Sequence, residues 1–196
     1  MTIDIRQLGP EALALVPRVP IRFRVTSVLR IEEVDGGFGG FRLVEETLEE
    51  PYVKDYDAYD PDEFTNLPKQ FDLLHWAFFI AFDGDAPVGA ATVAFDTPGL
   101  DMLEGRKDLA VLWDIRVHPD RRGEGIGAAL FDRVVDWSRE RGCVALKIET
   151  QNVNVRACRF YAKMDCRLRA IDRFAYARDP RVAHETMLLW QLDLRQ

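Results

Sequence analysis

The chain has 196 residues, 47% of them hydrophobic and 30% charged, with a formal net charge of −7. This length supports one well-buried core and is too short for two large domains, so a single domain over 1–196 is expected. The acidic balance argues against a nucleic-acid or anionic-membrane binder, which needs a basic face, and favours cationic partners.

The opening stretch, MTIDIRQLGPEALALVPRVP, lacks both a cationic start and an unbroken apolar run, and no later segment is apolar for long enough to cross a bilayer. A cytoplasmic protein is expected. IRFRVTSVLRIEEV and FRLVEETLEEPYV flank the glycine-rich DGGFGG and read as two strands around a turn. Residues 54–70, KDYDAYDPDEFTNLPKQ, carry Asp, Tyr and Pro without helical or strand periodicity. They read as a solvated acidic connector, with lining of a cation site as the alternative. Residues 1–70 thus form variable N-terminal strands and a connector, and 71–196 form the core.

LLHWAFFIAF, DGDAP and VGAATVAF make a hairpin, and LAVLWDIRV is the next strand after a loop. From Gly125 to Arg141 the apolar residues Ile126, Leu130, Val134 and Trp137 recur at helical spacing, and Gly142 stands at the left-handed cap position. CVALKIET alternates Val144, Leu146 and Ile148 with Ala145, Lys147 and Glu149, predicting a strand with one less buried face. Asn152 or Asn154 can cap a short helix containing Phe160 and Tyr161. RLRAIDRFAY and ETMLLWQLDL supply the last two strands. The order predicts an α+β fold, layered α/β/α, whose mixed central sheet has parallel pairing in its middle.

Between strand and helix stands HPDRRGEGIGAAL, with glycines at 123, 125 and 127. Unpaired N–H groups at a helix start, approached closely because glycine has no side chain, suit a phosphate. Gly123, Gly125 and Ala128 satisfy the dinucleotide pattern G-x-G-x-x-G/A, with Glu149 at the end of the next strand as a ribose-binding acid. HPDRR, however, separates the strand from the first glycine, and too little chain follows Gly127 for the rest of such a domain. A Walker A loop fails because no Gly-Lys-Ser/Thr follows. An ordinary glycine-containing loop is the remaining alternative.

Read instead as Arg122-x-x-Gly125-x-Gly127 after DIRVHPD, the stretch resembles the acetyl-CoA signature of the GCN5-related N-acetyltransferases (GNAT). NVRACRFYAKM is similar to that family's Asn-x-x-Ala-x-x-x-Tyr-x-Lys segment, with Asn154, Ala157, Tyr161 and Lys163 in register. The likeness covers about 76–194. LWDIRVHPDRRGEGIGAAL, ETQNVN, IDRFAY and the early FRVT resemble, more narrowly, streptothricin acetyltransferases. One departure is Asp165-Cys166 where the family often has Gly-Phe; Asp is less comfortable than Gly at a left-handed helix end.

The resemblance implies a GNAT fold and acetyl-CoA as cosubstrate. It places the pyrophosphate on the backbone of Arg122, Gly123, Glu124, Gly125, Ile126, Gly127 and Ala128, with Arg121 and Arg122 adding charge, and the pantetheine along Ile115 and Val117. Asn154, Tyr161 and Lys163 complete the cofactor set. Acyl transfer to an amine also needs a base, because at pH 7 only about one alkylammonium in 10³ is neutral. Asp114 and Glu149, on the polar phases of neighbouring strands, are the candidates, Glu149 also for substrate recognition. Tyr161 is the candidate acid for the leaving thiolate.

His75, His118 and His184 share no ligand spacing, so no metal is expected. Cys143, Cys158 and Cys166 form no C-x-x-C pair and read as small apolar residues in a reducing compartment. The expectation is an N-acetyltransferase acting on a small cationic amine, of streptothricin type in its narrowest form, as a monomer or homodimer. A protein or peptide N-terminal acetyltransferase and a non-catalytic acyl-CoA-binding protein are the alternatives.

Overall fold

The computed structural model describes residues 3–195. In chain order the strands and helices are β1 (Asp4–Leu8), β2 (Phe23–Glu33), β3 (Phe41–Lys54), α1 (Tyr56–Tyr59), α2 (Glu63–Gln70), β4 (Trp76–Asp83), β5 (Ala86–Phe95), β6 (Leu109–Val117), α3 (Ile126–Glu140), β7 (Ala145–Gln151), α4 (Val155–Lys163), β8 (Arg167–Asp172) and β9 (Met187–Asp193). They fall into two compact units. One comprises Met1–Arg22, Asp55–Ile148 and Gln191–Gln196, the other Phe23–Lys54 and Glu149–Trp190.

In the first unit β1, β4, β5 and β6 pair antiparallel in that order, and β6 then pairs parallel with β7. The sheet is therefore mixed, as the order of apolar runs predicts. β4 is buried along nearly its whole length, because both of its faces are covered. Phe78 and Ile80 belong to a cluster with Phe64, Leu67, Leu103 and Val111, while α3 packs against β4, β5 and β6. At Gly89 on β5 a Cβ would lie 2.9 Å from both Ile126 and Leu130 of α3, so helix and sheet approach closely there. Gly89→Val should lower the unfolding free energy by about 1–3 kcal/mol in urea titration through overpacking; an unchanged midpoint would mean the helix shifts freely.

Two expectations change in this unit, and one strand joins it that no sequence pattern marked. The connector 54–70 folds into α1 and α2. Asp55 caps α1 by accepting from the N–H groups of Asp57 and Ala58, and Phe64 and Leu67 of α2, three apart, are buried. Its polar composition conceals these two anchors. Asp4–Leu8 pairs as an edge strand on β4, although five residues alone carry no clear alternation. Lys147 of β7 is buried, with its ammonium donating to Glu104 (3.0 Å) and the Met102 carbonyl (3.1 Å), so the strand has no open face there.

In the second unit β2 and β3 form an antiparallel ribbon around the glycine-rich turn, and β8 neighbours β9. Asn154 is the N-cap of α4, accepting from Ala157 N–H, whereas Asn152 joins strands: its amide donates to the Leu29 carbonyl and accepts from Thr186 N–H. Asp165 adopts a left-handed conformation, φ 59°, at the end of α4. The glycine departure in the sequence thus keeps the turn. β8 stops at Asp172, so Arg173–Tyr176 lie outside the strand that the sequence predicts to run on through them.

Candidate functional site

The first unit carries the strand, turn and helix expected to hold an anion. The β6–β7 ladder runs from Leu109↔Ala145 to Leu112↔Ile148 and stops, while β6 continues through Ile115 to Val117. The edge beyond Leu112 is thus open to an extended ligand segment. After the strand, Gly123 and Gly125 have φ of 90° and 86° and nothing within 4 Å of a Cβ position. Gly125 is the N-cap of α3 and has no side chain to cap it, and the first turn of α3 has no acidic residue. Positive φ explains the glycines, and the helix start, with its dipole undiminished by any side chain, fits a pyrophosphate.

Gly125→Ala, strained by the positive φ, should lower the unfolding free energy by about 1–2 kcal/mol and weaken coenzyme A binding about tenfold by titration calorimetry on the folded protein; unchanged affinity would remove this turn from the binding site. Next to the turn lies a depression of about 420 Å³ lined by Arg18, Pro87, His118 and Arg121, among others.

The two arginines act differently from a pair of free charges. Arg121 donates to Asp83 (2.6 Å) and to both oxygens of Glu124, so its charge and that of Glu124 are already balanced. Arg122 donates to the carbonyls of Val117 (3.0 Å), Ile21 (3.2 Å) and Arg22 (2.9 Å). It ties the end of β6 to the N-terminal segment and so positions the turn. Ile126, Gly127 and Ala128 follow as the first turn of the helix.

On β6 the ladder with β5 slips between Thr92 and Val93, leaving Trp113 as an extra residue between Leu112 and Asp114. Such a bulge redirects a side chain. Trp113 Nε1 donates to Glu63 Oε1 of α2 at 2.9 Å. Asp114 receives two bonds from Arg116, Nε to Oδ1 at 2.9 Å and Nη2 to Oδ2 at 2.8 Å. Arg116 also donates to Asp57 (2.8 Å) and the Val19 carbonyl (3.2 Å), and its side chain is 1% exposed. Burial works against the guanidinium's charge, and Asp114 and Asp57 more than offset it. Burial and then Asp114's charge push the Glu63 carboxyl up to about 7, against the opposing indole bond and Arg116. Sequence reasoning missed Glu63 because its signal lay only in two apolar residues of an otherwise polar stretch.

The second unit holds Glu149, Asn154, Tyr161 and Lys163. Tyr176 donates to Glu149 (2.7 Å) and accepts from Gln151 Nε2 (2.9 Å), fixing the carboxylate in place. Tyr176 lies in IDRFAY, the stretch already singled out by resemblance. Tyr161 is buried and packs near the rings of Phe160 and Trp190, centroids 5.4 and 6.4 Å away. Lys163 is exposed in the last turn of α4. Glu185 pairs with Lys54, and its Oε2 is buried with no hydrogen-bond partner among the described residues. Burial pushes the thiols of Cys143 to about 11 and of Cys158 and Cys166 to about 12, too high for nucleophiles at neutral pH.

The model of the acetyltransferase (GNAT) family matches residues 41–165. A streptothricin acetyltransferase of Escherichia coli is 29% identical over 181 residues, 92% of this chain and 91% of that protein. One from Streptomyces lavendulae is 30% identical, covering 89% and 87%. Among solved structures, a putative streptothricin acetyltransferase of Bacillus anthracis in complex with acetyl coenzyme A has TM-score 0.74 at 22% identity, with 98% of each chain covered. At that identity the likeness concerns the fold.

Proposed function

Because the chain belongs to the acetyltransferase (GNAT) family and is therefore an N-acetyltransferase that uses acetyl-CoA, we propose that its acceptor is a primary amine of a small cationic molecule, of streptothricin type. When bound, acetyl-CoA supplies the acetyl group as a thioester. The chain's own residues then divide the remaining work. The open glycines and the start of α3 bind the pyrophosphate, and backbone groups of Ile115 and Val117 line the pantetheine. Arg122 positions the turn through its carbonyl contacts, and Tyr161 donates a proton to the leaving thiolate. Lys163, exposed at the end of α4, and Asn154, its cap, complete the cofactor set by motif register.

The observation that carries the acceptor class is the Glu149 carboxylate, which accepts from the neutral hydroxyl of Tyr176. That hydroxyl leaves the negative charge in place, unlike the pairing of Glu185 with Lys54. Such a group attracts a cation more strongly than carboxylates already neutralised by Arg or Lys. Relatives named streptothricin acetyltransferases over about nine tenths of the chain favour the same class. Three unpaired, buried thiols fit a cytoplasmic setting.

Steady-state thiol release with streptothricin, with simple polyamines and with a panel of N-terminal peptides tests this reading. Turnover on the cationic small molecules and none on peptides is the expected result. Preference for peptides would sink the acceptor class, and coenzyme A binding without thiol release from any amine would sink catalysis.

A further inference from the structure

We propose that Glu63 is the general base that takes the proton from the acceptor ammonium. This rests on the acetyltransferase reading and goes beyond it by assigning a residue outside both family motifs. Two geometric observations and the surrounding charge converge. Glu63 stands in the first turn of α2 and is bonded to the indole of Trp113, the first residue of β6 after its ladder with β7 stops. The carboxylate is thus tethered where the open edge of β6 begins. Secondly, the neighbouring carboxylates are committed: Asp114 receives two bonds from Arg116 and Asp57 a third. Glu63 instead accepts from a neutral donor, which leaves the carboxylate basic.

The third is the charge around it. Asp114 and Arg116 of β6 and Asp60 of the segment between α1 and α2 act on Glu63, and Asp57 of α1 is paired with the same Arg116. Three carboxylates against one guanidinium attract an ammonium and retain a proton removed from it. The resulting value near 7 matches a base for neutral pH, since a carboxylate at its ordinary 4.5 would be too weak to deprotonate an amine. Glu63 takes one proton from R–NH3+ and later releases it to solvent. The freed nitrogen lone pair forms the C–N bond as the C–S bond breaks, and the second nitrogen proton is lost as the thiolate is protonated.

Linkage gives an independent readout. In the fold Glu63 holds its proton up to about 7, against 4.5 ordinarily, so it binds protons more tightly folded than unfolded. Its contribution to stability is full below 4.5, and it is lost as pH rises through 7. Glu63→Gln should therefore flatten the decline in thermal stability between those values and melt higher than wild type at pH 8.

The closing experiment follows the indole Nε1–H resonance of Trp113, assigned with Trp113→Phe, by nitrogen-15 NMR from pH 5 to 9, alongside pH profiles of kcat/KM for an amine. In the wild type the resonance titrates near pH 7 and activity falls on the acidic side over the same range. Glu63→Gln should abolish the titration, remove that limb and lower kcat/KM about 10²-fold, with coenzyme A affinity unchanged. Trp113→Phe, which deletes a bond to the ionised carboxylate, should move the limb to higher pH. A flat resonance in the wild type, or an unaltered profile in Glu63→Gln, overturns the assignment alone. An indole that titrates in a chain that acetylates no amine overturns the function and the assignment together.

Discussion

Arg116→Met should cost about 3–5 kcal/mol of unfolding free energy, measured by urea titration, because it leaves Asp114 buried without its counter-charge. The guanidinium is 1% exposed and the carboxylate 7%, so water cannot replace the two lost bonds. The same side chain anchors the Val19 carbonyl and Asp57, so α1 and the N-terminal segment should loosen with it. The double variant Asp114→Asn/Arg116→Met should recover part of the loss, since no buried charge then remains unpaired at Asp114. A loss below about 1 kcal/mol in the single variant would show that the pair is solvated when the chain unfolds locally.

Tyr161→Phe is expected to lower kcat by about 10²-fold or more while leaving the affinity for coenzyme A within a few fold. The ring lies against Phe160 and Trp190, and phenylalanine fills the same volume, so urea titration should show a change of about 1 kcal/mol or less. The split matters. A residue that only packs would move stability and spare turnover, whereas a proton donor does the reverse. Turnover equal to wild type would remove Tyr161 as the acid and leave the thiolate to be protonated by solvent.

Much of this arrangement was legible in short patterns. The apolar run at 76–82 and the helical period over 126–137 mark β4 and α3 because each element buries long faces, and burial imposes periodicity. The glycine turn was legible because positive φ at 123 and 125 selects glycine. The strand β6 was harder. Strict alternation assumes no slip, and the bulge at Trp113 breaks it, which is how an indole comes to meet Glu63. Buried polar residues were misread for a related reason. Arg116 and Lys147 look solvated in sequence because Asp57, the Val19 carbonyl and Glu104, which hold them, lie on separate segments, and Asp114 is buried with Arg116.

Local chemistry along the chain thus determined the mixed sheet, the strand, turn and helix proposed to receive acetyl-CoA, and the capped helix that carries Tyr161. Each depends on residues within about one helical turn or strand of one another. Only the tertiary structure decided which charges are neutralised and which carboxylate stays basic. That outcome depends on burial and on partners about 50 residues apart, as with Trp113 and Glu63, and no local pattern encodes either.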